Sequence, residues 1–162
     1  MDQYALLFAA TLNAGTVLAI AALGLLINEK AGIVNLGAEG IMLCAAIAGF
    51  ATVVNTGNDW IGFAAGMAAG ALLAAIFGWL VIWLNTNQYA TGLAPSLFGV
   101  GFSAFVGIGY VQAKLPERPQ YNWFGLGDIP FIGPALFRHH PLVYGAMLIA
   151  AGLIWFLYRT RG

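Results

Sequence analysis

Between Asp59 and Lys114 the chain carries no charged residue, a stretch more than twice the ~20 residues that a helix needs to cross a bilayer. Inside lipid every backbone N–H and C=O must find its partner within the protein, which restricts a spanning chain to helices or a closed barrel. Uninterrupted apolar runs of this length, without strict alternation of apolar and polar positions, select helices. Composition agrees, with 61% apolar residues, 7% charged residues and a mean hydropathy of +0.86. The sequence therefore reads as an all-α, polytopic transmembrane helix bundle.

About five spans can be placed, near residues 4–27, 33–54, 60–84, 93–112 and 142–158, all in a single transmembrane domain over 1–162. The second is the odd one. Ile41 to Val54 is too short to cross as a straight helix, so this crossing must recruit residues from Ile33 onward, which draws Asn35 and Glu39 toward the bilayer. A broken or re-entrant start to span two is expected. Pro95 falls in the first turn of span four, where a missing N–H does little harm. Residues 113–141 hold five of the six prolines together with Trp123, Phe124 and Phe131, and read as an extramembrane loop with aromatic anchors at the interface. Arg159 and Arg161 after span five place that end in the cytoplasm by the positive-inside tendency. The 113–141 loop, the turn at Asn55–Asp59 and the N-terminus then lie outside.

Gly62, Gly66, Gly70, Ala74 and Gly78 recur every four residues along span three. Such a ridge lets another helix approach closely where lipid supplies no hydrophobic drive, and it points to span three as the central helix. Span four carries a shorter version in Gly99, Ser103 and Gly107.

Several function classes are excluded or weakened. Zero net charge, with no basic cluster larger than Arg159 and Arg161, argues against a nucleic-acid partner. Cys44 is the single cysteine, so neither a disulfide nor a zinc site can form within the chain. No metalloprotease, hydrolase-elbow or Walker-type motif is present, which predicts a non-enzymatic protein with no cofactor and no metal. His139 and His140, beside Pro141 at the head of a span, read as interfacial residues.

Glu29 to Gly40 places two carboxylates, an amine, an amide and three glycines between two uncharged apolar runs, where polar groups are costly. Leu23-Gly24-Leu25-Leu26-Ile27-Asn28-Glu29-Lys30-Ala31-Gly32-Ile33-Val34-Asn35-Leu36-Gly37-Ala38-Glu39-Gly40-Ile41-Met42-Leu43 resembles the signature region of the permease subunits of bacterial ABC importers in the branched-chain amino acid/ribose superfamily, nucleoside/simple-sugar branch. Asn87-Gln88-Tyr89-Ala90-Thr91-Gly92-Leu93-Ala94 and Gly127-Asp128-Ile129-Pro130-Phe131-Ile132-Gly133-Pro134 are similar to further blocks of that family, in the same order. Members run to roughly twice this length, so the resemblance implies the N-terminal half of such a subunit.

The resemblance implies a translocation pathway for a small polar solute, nucleoside or sugar-like. Its partners would be a separate ABC ATPase subunit, a second permease subunit, an extracytoplasmic solute-binding lipoprotein and membrane lipid, and its place the cytoplasmic membrane as a multi-pass protein. Asn35, Glu39, Asn87 and Gln88 are the candidate pathway residues. Gly37 and Gly40 permit the helix break, Asn35 can cap the helix that follows, and Glu39 in its first turn is favoured by the positive end of the dipole. Each of the four polar residues has a structural alternative, as a tie between neighbouring helices, and Glu29 and Lys30 are read as charges in a cytoplasmic turn. The alternative function is an ATP-independent small transporter or channel subunit acting as a homo-oligomer.

Overall fold

The computed structural model describes residues 2–115 and 140–159. Most of the proline-rich segment, with Trp123, Phe124, Phe131 and His139, lies outside the described residues, as does Arg161. All regular structure among the described residues is helical: α1 (Asp2–Lys30), α2 (Ala38–Thr56), α3 (Asp59–Ile82), α4 (Gln88–Gly107) with one 3-10 turn after it (Ile108–Tyr110), and α5 (Pro141–Arg159). All five helices are long and apolar enough to cross a membrane.

The chain divides into two compact units, one of Met1–Ile27 with Pro119–Gly162 and one of Asn28–Arg118. The first contributes most of α1 and all of α5. Helix α5 starts with Pro141 in its first turn, and His140 Nδ1 accepts from the Leu142 N–H at 3.2 Å. This satisfies one of the donors that a helix start leaves without an intrahelical acceptor. Arg159 occupies the last turn of α5, where a cation complements the dipole.

The second unit is a three-helix core, and its central element is α2, in contrast to the expectation that span three would be central. Helix α2 packs on α3 through one face and on α4 through another, whereas α3 and α4 touch each other less. The first contact runs antiparallel. A Cβ on Gly66 would lie 2.9 Å from the Ala45 carbonyl, and one on Gly62 would lie 2.9 Å from that of Gly49 and strike the Val53 side chain. The second contact runs parallel, with Gly37 and Gly40 set against Gly92, Pro95 and Gly99. Farther along, Asn55 Nδ2 donates to the Tyr110 hydroxyl at 2.9 Å, and the Phe50 and Tyr110 rings meet edge to face at 6.2 Å.

The α3 ridge is used over only part of its length. Gly62 and Gly66 are buried and Gly70 makes ordinary contact with Ala45, but Ala74 is exposed and Gly78 has nothing within 4 Å. Next to them, Leu73, Ile76, Phe77 and Leu80 of α3 face Thr91, Ala94, Pro95 and Phe98 of α4 across an open apolar cleft of about 270 Å³.

Large apolar side chains remain outside on every helix, among them Leu18, Leu72, Leu97, Phe105 and Leu148, while among the described residues Cys44, Val53, Phe77 and Val81 are the buried apolar side chains. Water would penalise such a surface and lipid does not. Trp60 in the first turn of α3 and Trp83 just after its end are both exposed, the pattern of a span with an aromatic anchor at each end.

Candidate functional site

The polar segment between α1 and α2 is built from three local devices. The first ends α1. Gly32, at φ +79°, donates to the Glu29 carbonyl, and Ile33 donates to that of Asn28, both at 2.9 Å. This paired pattern, closed by a left-handed glycine, satisfies the last carbonyls of a helix. Glu29 and Lys30 thus belong to the final turn of α1, and both are exposed.

The second device is the break itself. Residues 31–37 form turn and coil, and α2 begins only at Ala38. Asn35 does not cap α2 as expected from the sequence. Its Oδ1 accepts from the Gly37 N–H at 2.9 Å, a local turn, and the N-cap of α2 is Gly37, which has no side chain to offer. The capping register is shifted by two residues because Asn35 satisfies the backbone before the helix starts.

The third device fixes the depth of the break. Gly37 lies against the Gly92 carbonyl and the Pro95 ring, and Gly40 against the Pro95 carbonyl and the Ser96 backbone. At about 1.5 Å per residue, Gly92 and Pro95 are roughly 6 and 10 Å along α4 from Gln88. Helix α2 therefore starts alongside the second turn of α4 and not level with the start of α4. Proline at this point is informative. Helix α4 begins at Gln88, five residues before the expected start of span four, so Pro95 sits in its interior and not in its first turn. An interior proline cannot donate back to Thr91, so α4 lacks one rung of its hydrogen-bond ladder beside the beginning of α2.

Asn87 and Gln88 stand at the head of α4. Asn87 is its N-cap, with Oδ1 accepting from the Tyr89 and Ala90 N–H groups at 3.0 and 3.2 Å. Gln88 reaches across the unit: its Oε1 accepts from the Val34 N–H at 2.7 Å and its Nε2 donates to the Gly32 carbonyl at 3.5 Å. Glu39, in the first turn of α2, is exposed, while its neighbour Gly40 is buried against α4. The structure thus brings Asn35, Gly37, Gly40 and Gln88 together as one packed junction, with Glu39 at its open edge.

The reading of the sequence missed Gly92 and Pro95 as the surface that receives the break, and placed Gly99 in a packing row without identifying Gly40 as its partner. Their signal was present, because Gly92 and Ser96 continue the spacing of Gly99, Ser103 and Gly107 at three- and four-residue intervals. It also missed Thr86 and Thr91, whose hydroxyls bond at 2.8 Å and tie the α3–α4 turn to α4. Cys44 is buried at 3% exposure within α2, as a packing residue. Among the described residues no group of His, Cys, Asp and Glu side chains could hold a metal ion.

Residues 7–162 match the family model described as the permease component of the branched-chain amino acid transport system. A Haloferax volcanii protein named "Putative glucose ABC transporter permease protein" is 42% identical over 94% of this chain and 47% of its own length. A guanosine ABC transporter permease protein of Bacillus subtilis is 34% identical over 93% of this chain and 51% of its own length. A nucleoside ABC transporter permease protein of Lactococcus lactis is 26% identical over 90% and 50%. The chain spans about half the length of the curated relatives it matches. No solved structure matches it.

Proposed function

Because the chain belongs to the family of branched-chain amino acid transport system permease components, we propose that it contributes half of the membrane pathway of an ABC importer for a small polyhydroxylated solute, a sugar or nucleoside. Relatives named for glucose and for guanosine share the hydroxyl-rich ring as a common chemistry. A permease of this kind performs no covalent reaction. Solute arrives from an extracytoplasmic binding lipoprotein, and a separate ATPase subunit switches the membrane subunits between outward-facing and inward-facing states. A second permease subunit completes the pathway.

The observation that carries this reading is the irregular backbone of residues 31–37 descending beside α4 to an α2 N-terminus that no side chain caps. Irregular backbone at membrane depth is tolerated where it lines a cavity, and half-helix N-termini supply donors to polar solutes. Asn35 and Glu39 are the pathway residues of this proposal. Asn87 and Gln88, whose amides are engaged in the cap and in the junction, hold the pathway in shape.

The test is solute uptake by the assembled transporter carrying Glu39→Gln or Glu39→Leu. A carboxylate costs about 2.5–3.5 kcal/mol at the centre of a span on insertion scales and less toward its ends, so Glu39, in the first turn of α2, is favoured facing water, a dipole or a partner. The Gln variant is expected to assemble and lose uptake, and the Leu variant to lose both. Normal uptake by an assembled Gln variant would remove Glu39 from the mechanism.

A further inference from the structure

We infer that Gln88 is a positioning residue that locks the 31–37 break to the α3–α4 hairpin and so sets where α2 begins. This goes beyond the pathway reading, on which its functional consequence rests, by naming the link through which a helix pair holds the pathway segment.

The hairpin is a stiff body at this end. The Thr86 N–H and hydroxyl both donate to the Leu80 carbonyl, at 3.3 and 3.0 Å, and Thr91 donates to the Thr86 hydroxyl at 2.8 Å. Asn85 takes the left-handed conformation at φ 50° that closes the turn, which asparagine tolerates better than most residues. Asn87 then caps α4. Gln88 is the next residue along and the side chain that crosses to the break.

Its two bonds are to backbone groups that no helix satisfies. The Val34 N–H lies beyond the closed end of α1 and before α2 begins, and a buried or half-buried donor left without an acceptor is costly. Adjacent to Val34, Asn35 folds the chain onto Gly37, and Gly37 is the N-cap of α2. A displacement of the hairpin is therefore passed through Gln88 to Val34, to the Asn35 turn, and to the first turn of α2 with Glu39. The glycine contacts on Gly92 and Pro95 resist compression, but they have no direction of pull; the Gln88 amide supplies it.

The experiment is hydrogen–deuterium exchange by mass spectrometry on the purified protein in nanodiscs, comparing wild type, Gln88→Leu and Gln88→Glu. Glutamate keeps the acceptor for Val34 N–H, whereas leucine keeps only bulk. Loss of one such bond is expected to speed exchange of peptides covering residues 32–37 about five- to tenfold in Gln88→Leu. Gln88→Glu is expected to keep most of the protection, the first turn of α2 to lose protection with residues 32–37 in Gln88→Leu, and peptides from the rest of α2 and from α3 to exchange at wild-type rates in both. Equal exchange of residues 32–37 in wild type and Gln88→Leu overturns the assignment, as does equal loss of protection in both variants. Uptake is measured separately on the assembled transporter. Faster exchange in Gln88→Leu with unaltered uptake keeps the lock and refutes its role in transport.

Discussion

Gly40 and Gly99 meet backbone to backbone, and no other residue fits where they stand. A Cβ on Gly40 would strike the Pro95 carbonyl and lie 2.6 Å from Ser96 Cα, neither of which is the flexible end of a side chain. Gly40→Ala must therefore push α2 and α4 apart, at the about 1–3 kcal/mol typical of overpacking or more. The expected outcome is a sharp loss of monodisperse protein after detergent extraction. Gly101→Ala, two positions from Gly99 in α4 and with nothing within 4 Å, is expected to extract like wild type. Equal yields for the two variants would contradict the close approach. Gly37 and Gly40 were legible in the sequence as residues that permit a break, but their packing role was not. It depends on Gly92, Pro95 and Gly99, more than fifty positions away, and one sequence does not show which helix faces which.

Helices were more legible than their arrangement. The five apolar runs and the irregular start of the second emerge from charge and hydropathy alone, since lipid forces each long run into a helix. Centrality did not emerge, because α3 displays its small residues in one conspicuous row while α2 divides its own between two faces, Gly40 for α4 and Ala45 with Gly49 for α3. Within this core α2 has the fewest glycines, two against four each in α3 and α4, yet it is the helix packed on both sides. Along α3, Gly66→Leu is expected to disrupt the α2–α3 pair, because Gly66 is buried against Ala45, whereas Gly78→Leu has room for its side chain within this chain. Thermal stability of the two purified variants checks this: a lower Tm for Gly66→Leu alone supports the packing, and equal values refute it. The polar residues divide in the same way. Asn87 as a helix cap is a local pattern, but the Gln88 bond to Val34 spans 54 positions and is a product of the tertiary fold.

At the scale of the whole molecule, the chain belongs to a permease family and spans about half the length of the relatives it matches, and the proposed pathway requires that α2 begin within the membrane. Its orientation is testable: with the C-terminal end of α5 cytoplasmic, the α2–α3 turn is external. A cysteine at Thr56, exposed at the end of α2, in a Cys44→Ala background, should react with an impermeant maleimide in intact cells. Reaction only after permeabilisation would reverse the topology. Partners are testable by affinity purification of the tagged protein from its native membrane, which should bring down an ATPase subunit. The claim on which the rest depends is that the first turn of α2 faces a water-filled, solute-binding path. It is tested most directly by a cysteine at Glu39 in the Cys44→Ala background of the assembled transporter, labelled with a charged thiol reagent with and without the transported solute. The account predicts reaction with the charged reagent and slowing by solute. Reaction with a lipid-soluble maleimide alone, unaffected by solute, would place this turn against lipid and contradict it.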